Sequence, residues 1–297
     1  MTILKKINHV PQYIYRNILY PKILSWKLKN TLEKNRELKD KYDNKRCFIL
    51  GNGPSIKNLG ITKLKDEFTF VMNEFNYHSQ YGLLNHNNHV LSDTAYFSKD
   101  EESYFVKELK NKSKLTNSNT VFFLNIYGKE EVEKKNLFQK NKVLYFGTQG
   151  IISDKFDFNI ELDKFLPWPK NSLLLCLIIA SYMGFKKIYL LGCEHNFLCF
   201  NINGKTSTTY NHFYDNTQLL KEVRRVNNSD DISDPALKKR KKLTYEENIA
   251  NALQLFRNYR LFYQKIKKTK PDIEIYNATP DSFLDVFPMI NFEDIKF

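Results

Sequence analysis

Arg46-Cys47-Phe48-Ile49-Leu50-Gly51-Asn52-Gly53-Pro54-Ser55 carries a short apolar run into a turn built on two glycines, with polar residues beyond it that can open a helix. Strand, loop and helix in that order open a nucleotide-binding α/β domain, because ligands of open parallel sheets sit at the carboxyl ends of the strands. Glycines at such a turn allow a tight bend and close backbone approach, and N–H groups at a helix start favour a phosphate. The segment is neither G-x-G-x-x-G nor a P-loop, since no Gly-Lys-Ser/Thr follows. A plain strand-to-helix turn is the competing reading.

Working downstream, apolar runs predict strands at Phe68–Met72, His89–Leu91, Thr120–Leu124, Val143–Phe146, Lys187–Leu191 and Glu274–Asn277. Asn171–Met183 reads as a helix with an apolar face closed by Gly184, and Tyr245–Lys268 as a second, with Ile249, Ala252, Leu253, Phe256, Tyr259, Phe262 and Ile266 on one side. Helices alternating with strands imply a variant Rossmann-like α/β fold, its mostly parallel sheet covered on both faces. Residues 194–243 lose periodicity and fill with Asn, Thr, Asp and Lys, which marks either a disordered insert or a lid insertion. The expected organisation is a basic helical arm over 1–45, a nucleotide-binding domain over 46–193, the insertion over 194–243, and a completing helix and strand over 244–297.

The 297 residues suffice for a full core, and 42% hydrophobic content with only 10 Gly and 9 Pro describes a packed chain. The net charge of +13 points to an anionic partner, but residues 1–46 hold twelve Lys or Arg against four Asp or Glu, +8 of that total. Basic residues beside Trp26, Tyr13, Tyr15 and Tyr20, in segments divided by Pro11 and Pro21, suit an anionic membrane surface. The alternative is an arm packed on the body or on a second copy, a homo-oligomer. Charge gathered in one arm, rather than lining a groove with stacking aromatics, argues against nucleic acid. Cys47, Cys176, Cys193 and Cys199 show no metal spacing, so no metal site is expected and the thiols read as reduced and buried. With no long uncharged run and no cleavage-site pattern near Met1, the expected location is cytoplasmic, peripheral at the inner face of the membrane.

Two more strand ends carry small polar residues, Asn73 after Met72 and Ser92-Asp93 after Leu91. Side-chain amides and a carboxylate beside the first loop suit a base, ribose or sugar, although singly each also reads as a helix cap. Gly192-Cys193-Glu194-His195 closes the strand over 187–191 and brings Glu194 and His195 toward the same edge. Tyr210-Asn211-His212-Phe213-Tyr214 sets a histidine among aromatics in the insertion. Histidine is the usual base near neutral pH, so His195 and His212 are both candidates, against a purely structural reading of each.

Ile49-Leu50-Gly51-Asn52-Gly53-Pro54-Ser55, Met72-Asn73-Glu74-Phe75, the run Met183–Gly192, and Ile275-Tyr276-Asn277-Ala278-Thr279-Pro280 together resemble two related groups. These are the bacterial CMP-sialic-acid-dependent sialyltransferases and the sialyltransferase-like domain of motility-associated flagellin glycosyltransferases and their surface-polysaccharide relatives. The resemblance spans about residues 46–290. It implies an inverting glycosyltransferase that needs no obligatory metal and no cofactor, takes a CMP-sugar donor of sialic or other nonulosonic type, and modifies a glycan or glycolipid acceptor of a bacterial surface. It further implies donor contacts from Gly51, Asn52, Gly53, Pro54, Ser55, Asn73, Asp93, Asn171, Ser172 and Thr279. His212 is then the base, Tyr210 and Tyr214 steady the departing phosphate, and Glu194 and His195 stand where the sialyltransferases carry an aspartate and aromatics. Competing readings are a diphosphokinase-like enzyme on the same fold and a non-catalytic nucleotide-binding assembly protein.

Overall fold

The computed structural model describes residues 28–115, 119–196, 213 and 245–297. Most of the expected arm, most of the 194–243 insertion, and with them Tyr210, His212, Tyr214 and Cys199, lie outside the described residues.

The centre is a seven-stranded, wholly parallel sheet in the order β5-β4-β3-β2-β1-β8-β9. Its strands are β1 Arg46–Leu50, β2 Phe68–Met72, β3 His86–Leu91, β4 Val121–Asn125, β5 Lys142–Phe146, β8 Lys187–Leu191 and β9 Glu274–Asn277. Two short strands, β6 Thr148–Ile151 and β7 Leu166–Trp168, pair in parallel apart from it. The chain runs outward from β1 to β5 on one side and resumes on the other with β8, whose Lys187–Leu191 pairs with Arg46–Leu50. Strand order therefore reverses between β1 and β8, the place where open parallel sheets take ligands.

Side-chain alternation shows which face each strand residue covers. Cys47, Ile49, Phe70, Met72, Val90 and Phe123 join the core formed with α3 Ser172–Tyr182 and α4 Tyr245–Thr269. Phe48, Leu50, Val71 and Leu191 face the opposite layer, made of short 3-10 turns and the C-terminal tail. Toward β5 that layer continues with α1 Tyr104–Ser113 and α2 Lys129–Lys134. α3 is buried at every residue and not along one face alone, as a helix that is apolar all round must be.

Two expectations change. The polar residues after Gly53 form only the 3-10 turns Pro54–Asn58 and Ile61–Leu64, because the extended Leu59 and then Gly60 interrupt them. The boundary at residue 45 falls within the packed body. Residues 28–33 are helical, Leu32 and Leu38 are buried, and the Asn35 amide donates to the carbonyls of Tyr145 (2.7 Å) and Leu162 (3.0 Å). Tyr42 stacks on Phe185 at 4.9 Å. Cys47, Cys176 and Cys193 are free and buried, and burial raises all three thiol pKa values. Among the described residues no helix is long and apolar enough to cross a membrane.

Candidate functional site

A cleft of about 800 Å³ opens at the carboxyl edge of the sheet, over the reversal between β1 and β8. The turn after β1 forms its floor and is fastened to the turn after β8. Gly51 N–H donates to Leu191 C=O (2.7 Å) and Gly53 N–H to Gly192 C=O (2.9 Å). A Cβ on Gly51 would stand 2.3 Å from the Gly192 oxygen, and one on Gly53 would stand 1.4 Å from Glu194 Oε2. The glycines thus admit another part of the chain. Glu194 Oε1 accepts from Ser55 N–H at 2.6 Å, so an N–H expected to face a phosphate carries the protein's own carboxylate. Asn52 Oδ1, Ser55 Oγ and Glu194 Oε2 are buried and make no hydrogen bond within the described residues.

Asn73 follows β2 with φ at +51°, a left-handed conformation that asparagine tolerates. His89 on β3 holds it there: Nε2 lies 2.8 Å from Asn73 C=O and Nδ1 lies 3.0 Å from Tyr81 Oη. A carbonyl only accepts, so Nε2 carries the proton and Nδ1 accepts from the tyrosine. Burial first, then the Lys112 charge, lowers the His89 pKa to about 3. The Asn73 amide lies 3.3 Å from Ser172 Oγ, which lies 2.5 Å from Ser92 Oγ; Asn125 Nδ2 donates to Ser92 C=O at 3.3 Å. Polar groups from β2, β3, β4 and the start of α3 therefore meet on one wall. Asp93 spends Oδ1 on Ala95 N–H at 2.9 Å, capping a 3-10 turn. Behind Asn73, the fully buried Lys112 pairs with Glu108 (3.1 Å) and Glu74 (3.6 Å), and Tyr96 donates to Glu74.

The facing wall rests on a relay from α3 to α4 to the β8 loop. Asn171 caps α3 through Leu174 N–H (3.0 Å), and its Nδ2 donates to Tyr259 Oη (2.8 Å). Tyr259 Oη lies 3.0 Å from His195 Nε2, and His195 Nδ1 lies 3.1 Å from Cys193 C=O. The carbonyl again fixes the proton, here on Nδ1, and the tyrosine donates to Nε2. Burial lowers the His195 pKa to about 4. Both ring nitrogens are thus committed within the fold. His195, at φ +52°, cannot take a proton from a substrate without breaking one of these bonds.

Of the sequence-derived residues, Gly51, Asn52, Gly53, Asn73, Asp93, Asn171, Ser172, Glu194 and His195 line this one cleft. Pro54 and Ser55 do not. Thr279 is fully buried behind the β8 loop, where its Oγ1 accepts from Cys193 N–H at 3.0 Å, so it braces the loop and does not reach the cleft. Tyr210, His212 and Tyr214 fall outside the described residues, whereas Phe213 between them is buried and donates its N–H to Asn52 C=O (2.8 Å). Sequence reasoning missed Asn125, Tyr127, Trp168 and Lys170. Asn125 was within reach of the rule that found Asn73, since it follows the apolar run of β4. Among the described residues no three His, Cys, Asp or Glu side chains group as metal ligands. Comparison of the chain with known protein families, curated proteins and solved structures finds no match.

Proposed function

We propose that the chain is an inverting glycosyltransferase that draws an acidic sugar from a CMP-activated donor and passes it to a hydroxyl of a bacterial surface glycan or glycolipid. The observation that carries the reading is the cleft at the β1/β8 reversal, where strand ends bring Asn73 and Ser92 to the start of α3 at Ser172, with Asn125 and Asn171 bracing them through bonds to the fold. Neutral amides and hydroxyls both donate and accept, the complement a nucleoside and a sugar require. The motif resemblance around Gly51-Asn52-Gly53, Asn73 and the late strands supports the choice of CMP.

In the reaction, the acceptor hydroxyl oxygen forms a bond to the anomeric carbon as the bond from that carbon to the CMP phosphate oxygen breaks. The configuration inverts, the electron pair leaves on CMP, and the hydroxyl proton passes to a base. CMP is already a good leaving group, so the protein's task is to align the two oxygens and to accept that proton. With both nitrogens of His195 committed, the base that takes the proton is His212. Glu194, bound to Ser55 N–H, orders the floor.

The test is a thermal-shift titration of the full chain with CMP, CDP, UDP, GDP and ATP, each with and without magnesium, since a ligand of the native state raises the melting temperature. Selective stabilisation by CMP or CDP without metal is expected. CMP release from CMP-sugars should then be lost in His212→Ala, with CMP stabilisation retained. A response to ATP and magnesium alone would overturn the reading.

A further inference from the structure

We infer that Trp168 and Lys170 form a subsite for an anionic pyranose on the wall of the cleft; the inference rests on the transferase reading and names the sugar-binding end of its site. Trp168 ends β7, and its residue lines the cleft while remaining 54% exposed. An indole offers a flat apolar face beside a polar edge, and a pyranose presents a face of C–H groups ringed by hydroxyls. Tyr127, also on the cleft wall and 46% exposed, gives a second aromatic surface.

Lys170 supplies the charge. Its Nζ stands 5.6 Å from the centroid of the Trp168 ring and donates to Asn251 Oδ1 at 3.0 Å, which uses one of three N–H groups. No carboxylate of the described residues pairs with it. The two carboxylates on the described cleft wall each accept a backbone N–H through one oxygen, Asp93 from Ala95 and Glu194 from Ser55, and neither reaches Lys170. Lys170 is therefore the one Lys or Arg among the described residues lining the cleft, and no carboxylate of those residues is paired with it. Its backbone is left-handed, φ +72°, an uncommon state for a long side chain and one that persists where the surroundings impose it. That turn sits between Trp168 and the Asn171 cap, fixing the ammonium relative to both the indole and the start of α3. A carboxylate or similar group on a sugar ring meets Lys170 while the ring's C–H face meets Trp168.

Trp26 and Trp168 are the chain's two tryptophans, so indole emission of the full-length Trp26→Phe protein reports Trp168 alone. Methyl glucuronoside, methyl glucoside and inorganic phosphate are titrated at constant ionic strength, each alone and over saturating CMP. The expected result is a saturable emission change with the glucuronoside, about tenfold weaker with the glucoside and absent with phosphate, as one charge-assisted hydrogen bond warrants. Lys170→Met should make the two sugars equal while CMP stabilisation persists. Peptide-level oxidation of Trp168 in the unsubstituted chain gives the same contrast if Trp26→Phe does not fold. No saturable change, equal affinity for both sugars at intact Lys170, a response to phosphate, or displacement of the glucuronoside by CMP would each overturn the subsite. Failure of CMP to bind while the glucuronoside still does would sink the transferase reading and leave the subsite standing.

Discussion

Gly53 has no room for a methyl group, because Glu194 Oε2 stands 1.4 Å from where its Cβ would be. Gly53→Ala is expected to cost about 1–3 kcal/mol in urea unfolding. Glu194→Ala leaves the Ser55 N–H unpaired and costs a similar amount. In the double variant the clash is gone, so the two losses should fall short of their sum by at least about 0.5 kcal/mol; strict additivity would separate the two residues. The glycine pair was legible in the sequence, but its reason was not, since Glu194 lies 139 positions from Ser55 and no local pattern joins them. The same holds for the histidines. His195 reads as a base by its place after β8, and its two fixed hydrogen bonds appear only once Tyr259 from α4 is beside it. His89 and His195 have native pKa values lowered to about 3 and about 4, so on acidification the unfolded chain, with histidine near 6.5, binds protons first. Their contribution is complete above about pH 6.5 and falls toward pH 4, by about 1.4 kcal/mol per pH unit for each. Unfolding midpoints from pH 7.5 to 4.5 should therefore drop less steeply in His195→Asn than in the parent, whatever the variant costs at neutral pH.

At the scale of the element, α3 is the part on which both walls of the cleft depend. Its cap, Asn171, reaches Tyr259, its first residue, Ser172, reaches Asn73 and Ser92, and its body is buried throughout. Asn171→Ala removes the cap and the amide donor to Tyr259 Oη, which keeps its bond to His195, with an expected cost of about 1–2 kcal/mol by thermal unfolding. Leu177→Ala opens a cavity in the middle of the helix and should cost about 2–5 kcal/mol. Strands and long helices were readable because apolar runs ending in polar residues carry their own boundaries. β6 and β7 were not, since Gly150 and Pro167 interrupt segments of four and three residues. The short turns after Gly53 escaped for a related reason: Pro54 opens a helix as well as it opens a single 3-10 turn.

For the whole molecule, the charge of the first 46 residues concealed where the body begins. Charge counting treats residues 28–45 as part of an arm, yet Leu32, Asn35 and Leu38 are core residues. Removing two such apolar side chains costs about 2–5 kcal/mol each, against a usual total of about 5–15 kcal/mol. Deletion of residues 1–45 should therefore abolish a cooperative thermal transition. Deletion of 1–27 should preserve one, and co-sedimentation of that shorter truncation with anionic vesicles then tests the membrane reading by itself. The strand order has a further consequence during synthesis. Arg46–Leu50 of the central strand finds its second neighbour in Lys187–Leu191, which leaves the ribosome about 140 residues later. At about 5–20 residues per second, one edge of β1 stays unmatched for about 7–30 s while β2 to β5 assemble on the other. The nascent chain thus passes through a half-sheet whose apolar β1, Cys47–Leu50, lies at an open rim, a client for whatever holds unfinished chains in the cell.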